Sequence, residues 1–532
     1  MPLTLQDYEN EYPLRQLPQT AEVTRIAPSP TGRPHIGTAM QAIIDRAMAN
    51  QNRGVFILRV EDTDQTRLVP GAVEEIVNAL DWLGTRPDEG PGFGGQYGPY
   101  TQSERLSLYR TAAGWLVQHG HAFHCFCSVE RMEQVRELQI ARGEKTMYDG
   151  HCARLSEQEV TSRLARGETA VIRMRVPRGE ELAFSDVVRG RISFDSNEID
   201  ESVLLKTDGF PTYHLAAVVD DHFMRITTIV RGEEWISSTQ KHVLLFDYFG
   251  WPLPRFLHTP LLRDSDKRKL SKRSGDTSVA FFASQGILPG GFRNFLTRII
   301  WPHPDGKDIY DFDEFVAKFK PGELPKTGPV VDYALLTFIN GHYVWQLDRQ
   351  ELYRAVVSLL DNLIAAGEGF TDLLVDEGDG EIVSHEQLML FRSSFQADPD
   401  KALRILTVGA ERFRRLTDVI LQARFYYAGF FCPPTAERLV EVAGNPVLAA
   451  QFISAYRDNF RTSPDFNWDQ FVRGEAKRLG VKAGKLFMLL RIAVSGSDKT
   501  PPLHDILGIL GDEEVERRLE LAGDLISNRN LP

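Results

Sequence analysis

The sequence predicts an α/β protein: a nucleotide-type domain with parallel strands, interrupted by an insertion and followed by a helical C-terminal third. Three observations carry this expectation. Two short apolar runs, VTRIAPS at 23–29 and VFILRV at 55–60, bracket a helix-period segment at 35–51, which is the pattern of a βαβ unit. A second block of the same kind resumes after a mixed segment at 105–213, with HLAAVVDDH at 214–222, ITTIVRG at 226–232 and an amphipathic stretch from Ser237 to Tyr248. Beyond about Arg349 strand signals fade, and helix periodicity dominates.

Taken in order, residues 1–20 are polar and Pro-containing and read as a loose extension. Residues 21–104 make the first half of the α/β domain. Its helical segment sets Ile36, Met40, Ile43, Ile44 and Ala47 on one face. The flanking runs are too short for helices and suit buried parallel strands. A glycine-rich stretch, Gly90 to Gly98, closes this half. Within 105–213, AVIRMRV at 170–176 and ESVLLKT at 201–207 predict sheet inside an α+β insertion. Residues 214–253 complete the interrupted domain, and 254–348 carry a basic run from Arg263 to Arg273. The helical remainder reads as two parts, 349–448 and 449–532, with an acidic, glycine-rich surface excursion at Glu368–Glu386.

With 532 residues, of which 42% are hydrophobic and 25% charged, the chain can bury several cores, which excludes a disordered protein. No apolar run approaches the roughly 18 residues of a membrane helix. The start, MPLTLQDYENEYP, lacks a basic-then-apolar leader. Four cysteines in so long a chain make no disulfide framework. A cytoplasmic protein is expected. The net charge of −12 argues against indiscriminate coating of nucleic acid, yet phosphate binding depends on local clusters. Three exist, at Arg263–Arg273, Arg404–Arg424 and Lys477–Arg491; each alone reads as a solvated helix face.

Two segments carry chemistry. In the first, the strand end Ala27-Pro28-Ser29-Pro30-Thr31-Gly32 leads into His35-Ile36-Gly37-Thr38. Free N–H groups at such a helix start favour an anion. His35 can donate to a phosphate, Thr31 and Thr38 add hydroxyls, and Gly37 lets a flat base or ribose approach the backbone. In the second, Lys269-Leu270-Ser271-Lys272-Arg273 sets two lysines around a serine, able to clamp a polyphosphate as movable charges.

HIGT after APSPTG, with a distant KLSKR, resembles the two signature motifs of class I aminoacyl-tRNA synthetases. The wording is sharper still. PSPTG, Glu61-Asp62-Thr63-Asp64, PTYHLA at 211–216, Arg231-Gly232-Glu233-Glu234-Trp235, NGHY at 340–343, VKAGK at 481–485 and PPLHDILGILGDEEVERRL at 501–519 are similar to bacterial glutamyl-tRNA synthetases over nearly the whole chain from Val23.

The resemblance implies a Rossmann-like catalytic domain, an insertion that binds the acceptor stem, a stem-contact region with the KLSKR loop, and a helical anticodon-binding region. It implies that Arg25, Ser29, Glu61, Tyr213 and Arg231 line the glutamate pocket, where guanidinium groups suit a substrate with two carboxylates. ATP falls to Thr31, His35, Gly37, Thr38, Glu234, Trp235, Lys269, Leu270, Ser271, Lys272 and Arg273, with His35, Lys269 and Lys272 as the catalytic set. Magnesium comes with ATP, and the partners are L-glutamate and tRNA(Glu), with no membrane and a monomeric chain. One departure is Ala217, where some members carry Asn. Another is metal chemistry: relatives hold zinc with three cysteines and a histidine two residues after the third. Here Cys125, Cys127 and Cys152 are followed by Arg154, which cannot ligate, and no zinc is expected; Cys432 is assigned to the core. Glutaminyl-tRNA synthetase, a small-molecule nucleotidyltransferase and a catalytically inactive tRNA-binding relative are the rival readings. The helical third opposes the first two, and intact motifs oppose the last.

Overall fold

The computed structural model describes residues 3–270, 276–367, 383–462 and 466–527. The chain divides into two compact units, residues 1–281 with 292–336, and residues 282–291 with 337–532.

The first unit opens with α1 (Leu5–Glu11), capped reciprocally by Thr4 and Asp7. The loose extension expected here is instead an ordered strap. Tyr8 and Tyr12 are 4% and 5% exposed, with rings 6.1 and 5.9 Å from Phe223. Arg15 grips Glu89 bidentately at 2.7 and 2.8 Å. Burial of two aromatic rings outweighs the polar composition of the segment, and their partner lies too far along the chain for local patterning to reveal.

Strands β1 (Val23–Ile26) and β2 (Val55–Leu58) pair in parallel, joined through α2 (Ile36–Gln51) as the βαβ pattern required. All five apolar residues predicted for one helix face are buried. So are Ala39, Ala42, Asp45 and Ala49, because small side chains let neighbouring elements close on the helix from other sides. After α3 (Ala72–Trp82) and α4 (Leu106–Gln118) comes β3 (Ala122–Cys125), then α5 (Val129–Ala141), α6 (Glu157–Ala165) and β4 (Val171–Met174). The hairpin of β5 (Glu181–Asp186) and β6 (Gly190–Asp195) follows, then β7 (Val203–Leu205). An antiparallel sheet runs β3-β4-β7.

The hairpin does not stay with that sheet. Following α7 (Tyr213–Phe223), β8 (Thr228–Gly232), α8 (Ile236–Phe249) and β9 (Arg255–Thr259), the second sheet has the order β6-β5-β9-β8, with β8 and β9 parallel. Asp186 of β5 stands opposite Phe256 of β9, so the inserted segment contributes a strand directly to the α/β core. β1 lies alongside, its Val23 carbonyl accepting the Thr227 N–H at 3.0 Å.

In the second unit the described residues form helices joined by turns, among them Arg349–Ala366, His385–Ala397, Pro399–Gly409, Pro446–Thr462, Ala483–Ser495 and Asp512–Ser527. Leu360, Phe391, Phe395, Phe452, Tyr456, Leu489 and Leu519 build their common core. Arg518 is fully buried there, bonded to Glu514 at 2.6 Å and to the carbonyls of Val494 and Phe425 at 2.6 and 2.7 Å. Arg412 and Arg491 both donate to the Thr500 carbonyl, so part of the basic clusters ties loops together rather than facing solvent. Cys432, assigned to the core from sequence, is exposed: two prolines follow it, and the chain there runs over the surface without regular structure. Most of the expected acidic excursion, 368–382, falls outside the described residues.

Candidate active site

The residues predicted for the glutamate pocket come from four elements. Arg25 is buried on β1, and its Nε donates to Asp221 of α7 at 3.0 Å. Arg59, just past β2, donates to the same carboxylate at 2.6 Å and to Glu61 at 2.9 Å. Burial pushes the Glu61 carboxyl above its usual range, and Arg59 and Arg25 only partly offset this. Arg231, near the end of β8, donates to Tyr213 Oη at 2.9 Å, to Thr239 Oγ1 at 2.7 Å and to His258 Nε2 at 3.1 Å. Burial likewise raises the Tyr213 phenol, keeping it neutral. Ser29 is exposed at the loop after β1, and Ala217 is buried on α7. Sequence reasoning missed Arg59, Asp221, Thr239 and His258. The adjacent pair Asp220-Asp221 inside an apolar helix was the one visible signal, since buried carboxylates need partners.

A cavity of about 290 Å³ lies beside this pocket. One wall is the start of α2, with His35, Gly37, Thr38 and Gln41; the others are Gly232 at the end of β8 with Glu234 beyond it, Thr259 to Leu262 from the end of β9 onward, and Lys269 with Leu270. His35 is the N-cap of α2, and its Nδ1 accepts the Gly37 N–H at 3.0 Å. That bond assigns the ring proton to Nε2, the donor an anion requires. Six of the residues predicted for ATP thus share one cavity. Thr31 and Trp235 do not line it; Trp235 is 38% exposed, its ring 4.5 Å from Tyr213. Ser271, Lys272 and Arg273 lie outside the described residues. Among the described residues of the wall, Glu234 is the single carboxylate. Magnesium would therefore be held mainly by the phosphates that bring it.

The thiols of Cys125, Cys127 and Cys152 lie within 4.8 Å of one another, those of Cys127 and Cys152 at 3.6 Å. Tyr148 completes the group. Its Oη is 3.4 Å from Cys125 Sγ, 3.7 Å from Cys127 Sγ, and accepts the Cys152 N–H at 2.7 Å. Tetrahedral zinc, with bonds of about 2.0 Å to oxygen and 2.3 Å to sulfur, spaces its ligand atoms about 3.5–3.8 Å apart. The Cys127–Cys152, Tyr148–Cys125 and Tyr148–Cys127 separations of 3.6, 3.4 and 3.7 Å are close to that spacing. The expectation of no zinc rested on a count that ended at Arg154; Tyr148, four residues before the last cysteine, is an oxygen beside the three thiols that this count did not include.

Two family models match the chain: "tRNA synthetases class I (E and Q), catalytic domain" over residues 22–337 and "Anticodon binding domain" over residues 384–522. A glutamate–tRNA ligase of Gloeobacter violaceus is 53% identical over 523 residues, spanning 98% of this chain and 99% of that protein. One from Thermus thermophilus is 40% identical, spanning 94% and 99%. The crystal structure of a glutamate tRNA ligase from Elizabethkingia meningosepticum in complex with its amino acid superposes with a TM-score of 0.79 at 30% identity, covering 95% of this chain and 99% of that one. An apolar-strand βαβ start, a phosphate-type cavity on α2, an arginine-lined pocket beside it and near full-length identity converge: the chain belongs to the glutamate–tRNA ligase family of class I tRNA synthetases.

Proposed function

We propose that the chain activates L-glutamate with ATP and transfers it to the terminal adenosine of tRNA(Glu). One observation carries the assignment of roles. β8 places Arg231 in the buried pocket and the next residue, Gly232, on the wall of the cavity. Amino acid and nucleotide therefore meet across a single peptide.

Arg231 binds the side-chain carboxylate, and Glu61 pairs with the α-ammonium. Arg25, already shared with Asp221, orients the α-carboxylate. That carboxylate attacks the α-phosphorus of ATP, the bond to pyrophosphate breaks, and glutamyl-adenylate forms. His35 Nε2–H and the α2 N-terminus hold one side of the triphosphate; Lys269, together with Lys272 from the sequence motif, holds the other. Magnesium accompanying ATP would supply further charge neutralisation there. A terminal ribose hydroxyl of the tRNA then attacks the activated carbonyl, and AMP leaves. Positioning and electrostatics carry both steps; no covalent enzyme nucleophile is needed.

The segment 105–213 takes the acceptor stem, 254–348 contacts the stem below it, and 349–448 with 449–532 reads the anticodon. The enzyme acts as a cytoplasmic monomer; among the described residues no helix is long and apolar enough to cross a membrane. An inactive tRNA-binding relative is disfavoured because His35, Gly37 and Lys269 still share one cavity. The test is glutamylation of purified tRNA(Glu) and tRNA(Gln), with glutamate-dependent ATP–pyrophosphate exchange measured in the presence of tRNA. Binding of tRNA without either reaction refutes the proposal.

A further inference from the structure

Arg231 differs from the other buried arginines of the site in what it touches. Arg25 and Arg59 each meet a carboxylate within 3.0 Å. Among the described residues, no carboxylate pairs with Arg231. Its partners are Tyr213, Thr239 and two imidazoles: His258 Nε2 accepts from Nε at 3.1 Å, and His242 Nδ1 lies 3.2 Å from Nη1. Burial holds both histidines below their ordinary range, and Arg231 lowers them further, while Asp186 partly opposes this at His258. The cage therefore offers the guanidinium no direct counter-charge.

His258 can accept at Nε2 only if its proton sits on Nδ1. Asp186 arranges that. Its Oδ2 lies 2.7 Å from His258 Nδ1 and also accepts the His258 backbone N–H at 3.0 Å. Its Oδ1 accepts the N–H groups of Val188 and Arg189 at 2.9 Å each. Burial alone would raise this carboxyl, but His258 and these N–H groups hold it below the usual range, so it stays an acceptor. β-sheet register does the rest: Arg231 and His258 are opposite residues on neighbouring parallel strands, and Asp186 ends the strand on the far side of β9.

We propose that Asp186 and His258 are positioning residues for the selection of glutamate: Asp186 sets the His258 tautomer, and His258 fixes the plane of Arg231 without neutralising it. The charge is then available to the side-chain carboxylate of the substrate, and an uncharged amide of the same shape gains less. This rests on the reading of Arg231 as the carboxylate partner.

The test is steady-state glutamylation at saturating ATP and tRNA with three variants. Asp186→Asn presents an amide N–H to His258 Nδ1, which drives the ring proton to Nε2 and turns a donor toward Arg231. His258→Phe keeps a ring and leaves the backbone bonds of Asp186 in place, so it serves if Asp186→Asn fails to fold. In both, the glutamate KM rises about tenfold or more, while kcat and the ATP KM stay within about twofold, and the preference for glutamate over glutamine falls. The double variant is no worse than His258→Phe alone, because Asp186 acts through the ring. A His258→Phe enzyme with the parental glutamate KM and glutamine discrimination overturns the proposal. Additive effects in the double variant remove Asp186 from it. Failure of the parent to use glutamate at all would instead sink the reading of the pocket.

Discussion

Arg25 of β1 and Asp221 of α7 are joined by a 3.0 Å hydrogen bond between two almost fully buried charges, and the same carboxylate oxygen holds Arg59 at 2.6 Å. The bond ties the strand that opens the βαβ unit to the helix that carries Tyr213. Burial alone would raise the Asp221 carboxyl, but the two arginines outweigh it and hold it below its ordinary value of 3.8. A lowered carboxyl stabilises the fold above that value, and the contribution is lost as pH falls through the native one.

Asp221→Asn leaves two guanidinium groups short of a buried counter-charge. We expect a loss of about 3–5 kcal/mol in urea unfolding at neutral pH, with the gap to the parent narrowing in strong acid. Equal stability at pH 7 would show that water replaces the carboxylate.

Arg231→Ala removes the uncompensated charge of the pocket. The glutamate requirement rises by the equivalent of about 2–5 kcal/mol, while the ATP KM is nearly unchanged. An unaltered glutamate KM would move the side-chain carboxylate to Arg25.

Glu61 is raised by burial, so on acidification it takes up a proton earlier than a free glutamate side chain would. A neutral Glu61 cannot pair with the α-ammonium. The kcat/KM for glutamate therefore falls in acid with a midpoint above 4.5, the ordinary value of this carboxyl. Glu61→Gln is poor at every pH and loses that limb; a variant that keeps it assigns the titration elsewhere.

The Cys125–Cys127–Cys152–Tyr148 cluster is expected to hold one zinc per chain after purification without chelator. Metal content by emission spectroscopy falls sharply in Cys127→Ser and is weakened in Tyr148→Phe, with Arg154→Ala neutral. Metal-free parental protein would refute this and support the expectation drawn from Arg154.

Arg518 bonds two backbone carbonyls and Glu514 from a fully buried position. Arg518→Met keeps volume but strands those acceptors, and a loss of about 2–4 kcal/mol is expected in the helical unit. Thermal unfolding that matches the parent would show the carbonyls to be satisfied otherwise.

The sequence by itself determined what short-range pattern can carry. Period-3.6 apolar spacing placed the helix at 35–51, short apolar runs placed β1, β2 and β8, and residue types after a strand end marked His35 and Gly37 as an anion site. Lys269 was joined to them by the family resemblance, not by local pattern. The local features depend on neighbours a few residues apart, so they are legible in one dimension. Only the tertiary structure decided how distant charges are balanced. It put Asp221 between Arg25 and Arg59, Asp186 behind His258 and Arg231, Tyr148 among three thiols, and Tyr8 and Tyr12 against Phe223. A buried charge or donor must find a partner wherever the fold supplies one, and that partner is chosen by strand register and helix packing rather than by proximity in the chain.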